Sequence, residues 1–546
     1  MTKKRIWLAL VLALALTGAV FAAACAGDKG ETPGVEGAVE GGTLAIYIGE
    51  PSFITPDLAF ESEGIQVMNA IYDTLTMYDP MTLELKPEVA ESWEANADAT
   101  VWTFHLKQGT KFHNGREVVA ADFKYAWERL SNQDLASNYG SLLNMVAGYQ
   151  EYWDKTATEI TGIKAVDDYT LEVTMAAPFA EFPYICGFVD TAPMPKEEVD
   201  GKEDAYALKP IGNGPFMMAE DWVAGQYIKV VKFPDYTGAK PYIDGIDFKI
   251  YTDLNTAWTD FQAGALDWTS IPTGNYRASI EQYGESTDGN TSNPGNQVQT
   301  GPELAIYEML FNNNDPVMQN IELRKAISLA INRQAICDTV YEGARQPATS
   351  PIPPGIPGYE ANAWQYCKYD VEAARAALEA AGYPGGEGLP VLKLTFNSGA
   401  GHDDLMQLVK SDLAAIGIQT EFDTSDGPTY WSKVDADEFQ IGRSGWQCDY
   451  PTIDDYLSPL YYSTGGCNFS NYNVPEIDAA IDAARALVDD DERIAAFQQI
   501  VRDIGDDCPE TIIAVYAHAR VSSARVHNLI YSSMGLLDFD HVYIAE

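Results

Sequence analysis

The sequence predicts an α/β fold spread over more than one domain, and two observations predict it. The chain has 546 residues, more than a single hydrophobic core supports. After Asp370, strand and helix patterns alternate at the spacing of βαβ units, which implies a parallel sheet. Asp370 can cap a helix that runs to Ala381, where Gly382 and Pro384 stop it. Residues 392–396 then read as a strand, 403–416 as a helix ended by Gly417, and 418–422 as a strand. A short helix at 429–436 and a strand at 439–443 complete the series.

Upstream, the pattern is mixed. Leu44, Ile46 and Ile48 alternate with Thr43, Ala45 and Tyr47, a strand ending at Gly49-Glu50-Pro51. Trp102, Phe104 and Leu106 share one face of another, and further strands are expected at 171–175, 228–231 and 246–251. Helices are expected at 121–130 and 256–264. One long amphipathic helix is expected over 322–341, with Leu323, Ala326, Ile327, Ala330, Ile331 and Ile336 at helical spacing. Residues 347–357 form a proline-rich, extended loop.

The first 25 residues read as targeting sequence. Lys3, Lys4 and Arg5 precede an apolar run over 6–21, then Ala22, Ala23, Ala24 and Cys25, the order of a secretory signal. The cysteine after small residues resembles a bacterial lipoprotein box, with Ala22 where leucine is usual. The resemblance implies cleavage before Cys25 and lipidation of its thiol. Residues 26–42 read as a flexible tether. No later run reaches 18 apolar residues, so the expected product is exported and held to the membrane by its N-terminal lipid alone. Six further cysteines, at 186, 337, 367, 448, 467 and 508, include no CxxC pair, which argues against zinc or redox motifs. An even number in an exported chain suggests disulfides. Cys448 with Cys467 is the favoured pair because it closes a short loop, worth about 3 kcal/mol on the chain-entropy model.

Composition narrows the function. A hydrophobic content of 46% fits a globular chain, and 31 tyrosines and 11 tryptophans suit a binding cleft as well as a core. With 35 basic and 80 acidic residues the net charge is −45, which argues against nucleic acid or an anionic membrane surface as a partner. The six histidines show no zinc-protease pairing, no metal site is expected, and Gly212-Asn213-Gly214 lacks a complete dinucleotide fingerprint and reads as a turn. Neither a phosphate-binding P-loop nor a GxSxG elbow is present. Asp403-Asp404 and Asp454-Asp455 read as helix starts and solvated faces rather than paired catalytic carboxylates. No cofactor is implied.

Ligands of open α/β sheets sit beyond the carboxyl ends of strands. The expected strand 439–443 runs into Arg443-Ser444-Gly445-Trp446-Gln447-Cys448-Asp449-Tyr450-Pro451, which places a guanidinium, an indole, a carboxylate and a phenol within eight residues. The carboxylate could receive an ammonium and the indole could cover apolar ligand surface.

Several segments resemble the extracytoplasmic solute-binding proteins of the peptide and nickel class, family 5. They are Val89-Ala90-Glu91-Ser92-Trp93-Glu94, Trp102-Thr103-Phe104-His105-Leu106, Gly109-Thr110-Lys111-Phe112-His113-Asn114-Gly115 and Ala121-Asp122-Phe123-Lys124-Tyr125. Pro210-Ile211-Gly212-Asn213-Gly214-Pro215-Phe216, Asp235-Tyr236, Pro241-Tyr242, Arg324-Lys325-Ala326-Ile327, Ala330-Ile331-Asn332-Arg333 and Ala381-Gly382-Tyr383-Pro384 follow in the family's order. The resemblance implies a two-lobe periplasmic-binding-protein-like fold (type II, large three-domain subclass) with a hinged cleft. On this chain, one lobe would comprise residues 43–80, 207–305 and 515–546, an additional domain 81–206, and the second lobe 306–514.

The resemblance also implies a non-enzymatic monomer that delivers short peptides to the permease and ATPase subunits of an ABC importer. Oligopeptide binders of the family hold the peptide backbone in extended form and its α-ammonium on an aspartate in a Trp…Asp-Tyr segment, a place that Asp449 occupies here. Trp446, Arg443 and Tyr450 accompany it, Trp268, Thr269 and Ser270 match a cleft-lining segment, and Glu61 lies in another. Gly427-Pro428 stands where such binders often carry a tryptophan, and Cys448 is one place off the cysteine of some relatives. The same fold could take a dipeptide, a nickel chelate, haem or an oligosaccharide. An exported hydrolase is the reading from another class, without a nucleophile or metal motif to support it.

Overall fold

A computed structural model describes residues 37–272, 274–398 and 401–545. The signal segment, Cys25 and most of the 26–42 tether lie outside the described residues. The fold is α/β and two-lobed, with three sheets of four or more strands over separate cores.

The largest sheet has seven strands in the order Val298–Gln299, Arg520–Ser522, Trp268–Ser270, Thr43–Ile48, Gly245–Ile250, Tyr227–Lys232 and Phe216–Met218. Thr43–Ile48 runs parallel to Gly245–Ile250 and to Trp268–Ser270, and the other pairings are antiparallel. Its alternation is the one expected, with Leu44, Ile46 and Ile48 buried against the helix Ser62–Ile71 and the C-terminal strands.

A second, antiparallel sheet orders Ala90–Ala95, Val101–Leu106, Thr170–Thr174 and Ile163–Asp167. Trp102, Phe104 and Leu106 turn inward together as their period of two requires. The helix Ala120–Leu130 covers this face, and Trp127 and Phe104 each meet Phe182 edge-on at about 6 Å.

The third sheet is antiparallel: Gln346–Pro347, Glu510–Ala517, Pro302–Leu310 and Ser444–Gln447. Beside it lies the βαβ unit read from the sequence. Leu392–Asn397 and Thr420–Ser425 pair in parallel, joined by the helix His402–Ala415. Asp370 caps Val371–Ala380 as expected, its carboxylate accepting from Ala373 N at 3.0 Å.

Four expectations are corrected. The 322–341 helix is two helices, Ile321–Ala330 and Arg333–Val340. Ile331 is extended, Asn332 caps the second helix through Ala335 N, and the guanidinium of buried Arg333 donates to the carbonyls of Ser328 and Ile331 at the break. The strand expected at 439–443 is reduced to single bridges at Ile441, and the ladder proper is Ser444–Gln447. The hydroxyl of Tyr430 explains the interruption: it receives Arg443 N–H (2.8 Å) and donates to the Arg443 carbonyl, occupying both groups a neighbouring strand would need. Gly212 and Gly214 serve close packing rather than a turn, since a Cβ on either would meet the Ile71 backbone within 3 Å. Asp454 and Asp455 do start a helix, Asp454–Tyr461, but both are buried rather than solvated.

The chain crosses between the first and third sheets twice, at 299–302 and 517–520, and the two crossings are bonded to each other. His518 N donates to the Gly301 carbonyl (3.1 Å) and Gly301 N donates to His518 Nε2 (2.9 Å). The segment carrying the second sheet reaches over to the C-terminal half, where Arg493 Nε donates to Glu181 Oε1 (3.0 Å) with both side chains about 4% exposed.

Candidate functional site

Where the ladder of Ser444–Gln447 ends, the chain is pinned by side chains instead of a partner strand. Cys448 N still donates to the Leu304 carbonyl (2.9 Å). The next amide, Asp449 N, donates to Asp455 Oδ2 (3.1 Å), which also accepts Trp446 Nε1 (3.0 Å). Buried Asp455 thereby fixes the indole and aspartate in one turn, and beside it Asp454 holds Arg485 at 2.9 Å. The side chains of Trp446 and Asp449 then face a cavity of about 890 Å³.

Its walls come from distant segments: Phe60 to Glu63 and Asp73 from the first sheet's surroundings, Tyr139 and Phe188 from the segment of the second, and Tyr531 to Asp540 near the C-terminus. The size is that of a small-molecule or short-peptide site, and the lining mixes rings with many polar and acidic groups. Tyr139 donates its hydroxyl to Asp449 Oδ1 at 3.2 Å. Burial pushes the Asp449 carboxyl up to about 6, and the Tyr139 hydrogen bond restrains it. Asp455 is raised further, by burial and then by the charge of Asp449. Asp190, which follows Phe188 and Val189 in the chain, is fully buried and neither of its carboxylate oxygens has a partner.

Three of the residues read from the sequence line this cavity: Asp449, Trp446 and Glu61. Glu61 accepts Ser52 N through Oε1 while its Oε2 is buried without a partner. The other five stand outside it. Arg443 donates to Asn397 Oδ1 (2.8 Å) and lies over the rings of Tyr430 and Trp431, both at 5.3 Å. Tyr450 is buried in the core of the second sheet. Trp268 backs the wall, stacked on Tyr531 with ring centres 5.6 Å apart and donating to Gln299 Oε1 (2.9 Å). Thr269 is fully buried, and Ser270 pairs along the strand with Arg520. The expected disulfide is absent: Cys448 and Cys467 are both free thiols, and Cys448 Sγ lies 3.9 Å from Met534 Sδ.

Sequence reading missed Tyr139, Arg520, Tyr531 and an acidic group of Asp73, Glu88 and Asp540, all of which line the cavity. No local motif marks them; only the fold gathers them. No group of three or more metal-ligating side chains forms among the described residues, and none of their helices is long and apolar enough to cross a membrane.

A two-lobed α/β body with a ring-lined cavity reached by both lobes is the architecture of extracellular solute-binding proteins. Residues 84–468 match the model of the bacterial extracellular solute-binding proteins, family 5, and the chain belongs to that family. It is 27% identical to the oligopeptide-binding protein OppA of Bacillus subtilis over 99% of both chains. To heme-binding protein A of Haemophilus influenzae it is also 27% identical, over 89% of this chain and 88% of that one. Among solved structures, it superposes on the unliganded open form of the periplasmic murein tripeptide binding protein MppA with a TM-score of 0.79 at 25% identity, covering 93% of this chain and 99% of that one. The Haemophilus influenzae OppA complex with the peptide RPPGFSPFR matches with a TM-score of 0.72 at 25% identity and the same coverage.

Proposed function

We propose that this protein captures short peptides outside the cell, holding the α-ammonium on Asp449, and delivers them to the permease and ATPase of an ABC importer. One observation carries the reading. The Asp449 carboxylate is half-buried, lines a cavity large enough for a few residues, and has a phenol but no basic side chain as its partner among the described residues. A carboxylate partly withdrawn from water without a cation is unfavourable, and a ligand ammonium would supply the missing charge through charge-assisted hydrogen bonds. Trp446, held rigid by Asp455, offers an apolar face beside it. The relatives named for oligopeptides and a murein tripeptide support this class of solute.

In the same reading the lobes are 43–80 with 207–305 and 515–546, and 306–514, closing against each other about the paired crossings at Gly301 and His518. The additional domain, 81–206, brings Tyr139 to the site. The chain acts without catalysis, as a monomer, tethered by a lipid on Cys25. Native mass spectrometry of the purified protein tests the proposal: bound species with peptide masses, exchangeable for added tri- to pentapeptides, are expected. Haem or a sugar as the only retained ligand would contradict it.

A further inference from the structure

The cavity presents far more carboxyl groups than one ammonium can answer. Nine of its lining side chains are carboxylic acids and a single one, Arg520, is basic. That guanidinium is already engaged, donating to the Tyr531 hydroxyl at 3.2 Å and facing Glu303. Away from Asp449, three of the acids meet: Asp73 hydrogen-bonds Glu88 and Tyr236, and the charge of Asp540 bears on it. Asp73 is held in place through its backbone, with its N–H donating to Asn213 Oδ1 (3.1 Å) and its carbonyl accepting Asn213 Nδ2 (3.0 Å). The other charged groups that face the trio are Lys107, towards Glu88, and Asp538 and His541, towards Asp540. Lys107 does not line the cavity. One further acid, outside the lining, lies near two of the lining carboxylates. Asp190 is 0% exposed with both oxygens unpartnered, and the charges around it are Asp449, Asp57 and Glu61.

We infer that the cleft selects basic peptides, seating the α-ammonium at Asp449 and a lysine or arginine side chain on Asp73, Glu88 and Asp540. This rests on the peptide reading above. The ring of Tyr236, hydrogen-bonded to Asp73, provides apolar surface for the methylene stem of such a side chain. Without a seated cation, burial, then the neighbouring acids, hold Asp540 up to about 8 and raise Asp73, and burial raises Glu88, so the group favours its protonated forms. A seated cation therefore expels protons, and binding is coupled to their release.

Calorimetry on the intact protein at pH 7 tests this with tetra-alanine, three tetrapeptides bearing lysine at position two, three or four, and their glutamine counterparts. At least one lysine peptide is expected to bind about tenfold or more tightly than its glutamine counterpart, with a heat that varies with buffer ionisation enthalpy. In an Asp73→Asn, Glu88→Gln variant that lysine-over-glutamine advantage is expected to vanish; Asp540→Asn gives the same comparison should the double variant melt early. Equal binding of lysine and glutamine peptides, or a preference that survives both variants, overturns the inference and leaves peptide capture standing. Failure of every peptide to bind overturns both.

Discussion

The hydroxyl of Tyr139 donates to Oδ1 of Asp449 at 3.2 Å, joining two side chains 310 positions apart in sequence. It brings the segment of the second sheet to the carboxylate proposed to receive a peptide's α-ammonium. With Asp449 at about 6, the ionised form that binds an ammonium dominates above that pH and is lost below it. Affinity for an unblocked peptide is therefore expected to fall as pH drops through about 6, by up to about tenfold for each further pH unit. Tyr139→Phe removes the hydrogen bond that favours the charged form, so the midpoint moves upward. Tryptophan-fluorescence titrations between pH 5 and 8 measure both; a midpoint unmoved in the variant would contradict this role for Tyr139.

Glu308 and Glu510 lie diagonally on paired strands of the third sheet, 1% and 2% exposed, with their side chains hydrogen-bonded. Burial raises both carboxyls, Glu308 to about 7, and Tyr461 donates to Glu510. A folded-state value above the unfolded 4.5 gives stability that is fully present below about pH 4.5 and lost as pH rises through 7. The loss is about 1.4 kcal/mol for each pH unit between those two values. Glu308→Gln keeps a neutral partner at every pH. Its melting temperature is expected to exceed wild type at pH 8 and converge with it at pH 5, and the reverse ordering in thermal melts would refute the assignment.

Arg493 anchors the segment of the second sheet to the C-terminal half through Glu181, and its second arm donates to the Leu487 carbonyl (2.9 Å). Arg493→Met leaves a buried carboxylate unpaired, a loss of roughly 3–5 kcal/mol. Burial holds Glu181 up to about 7, so it can take a proton instead when the solution is acidic. Denaturation by urea should show the full loss at pH 8 and a smaller one at pH 5.5; an equal loss at both would show that Glu181 is not the relevant partner.

All six cysteines of the described residues are free, five of them buried. Thiol titration of unfolded, unreduced protein that begins after Cys25 is expected to yield six reactive groups. A count of four or fewer would restore the disulfide that spacing alone suggested.

Elements whose apolar period is complete within one segment were legible in the sequence: Thr43–Ile48, Val101–Leu106 and the βαβ unit around His402–Ala415. The break at Ile331-Asn332 was hidden because Ile331 and Ile336 keep the helical spacing across it, while the cause, Arg333 reaching carbonyls and the distant Ile512, is tertiary. At the site, Trp446 and Asp449 were legible because they share one turn. Tyr450, one position further, was misread because a residue's direction after a ladder ends is set by Asp455, six residues on from Asp449, and not by the local pattern. The acidic trio was invisible because residues 73, 88 and 540 meet only after folding.

The anchoring of the amine by Asp449 is tested most directly by calorimetry with one tetrapeptide in free and N-acetylated forms, on wild type and on Asp449→Asn. Wild type is expected to prefer the free form by about two to three orders of magnitude, and the variant to bind both forms equally weakly. Undiminished binding of the free peptide by the variant, or of the acetylated peptide by wild type, would contradict it.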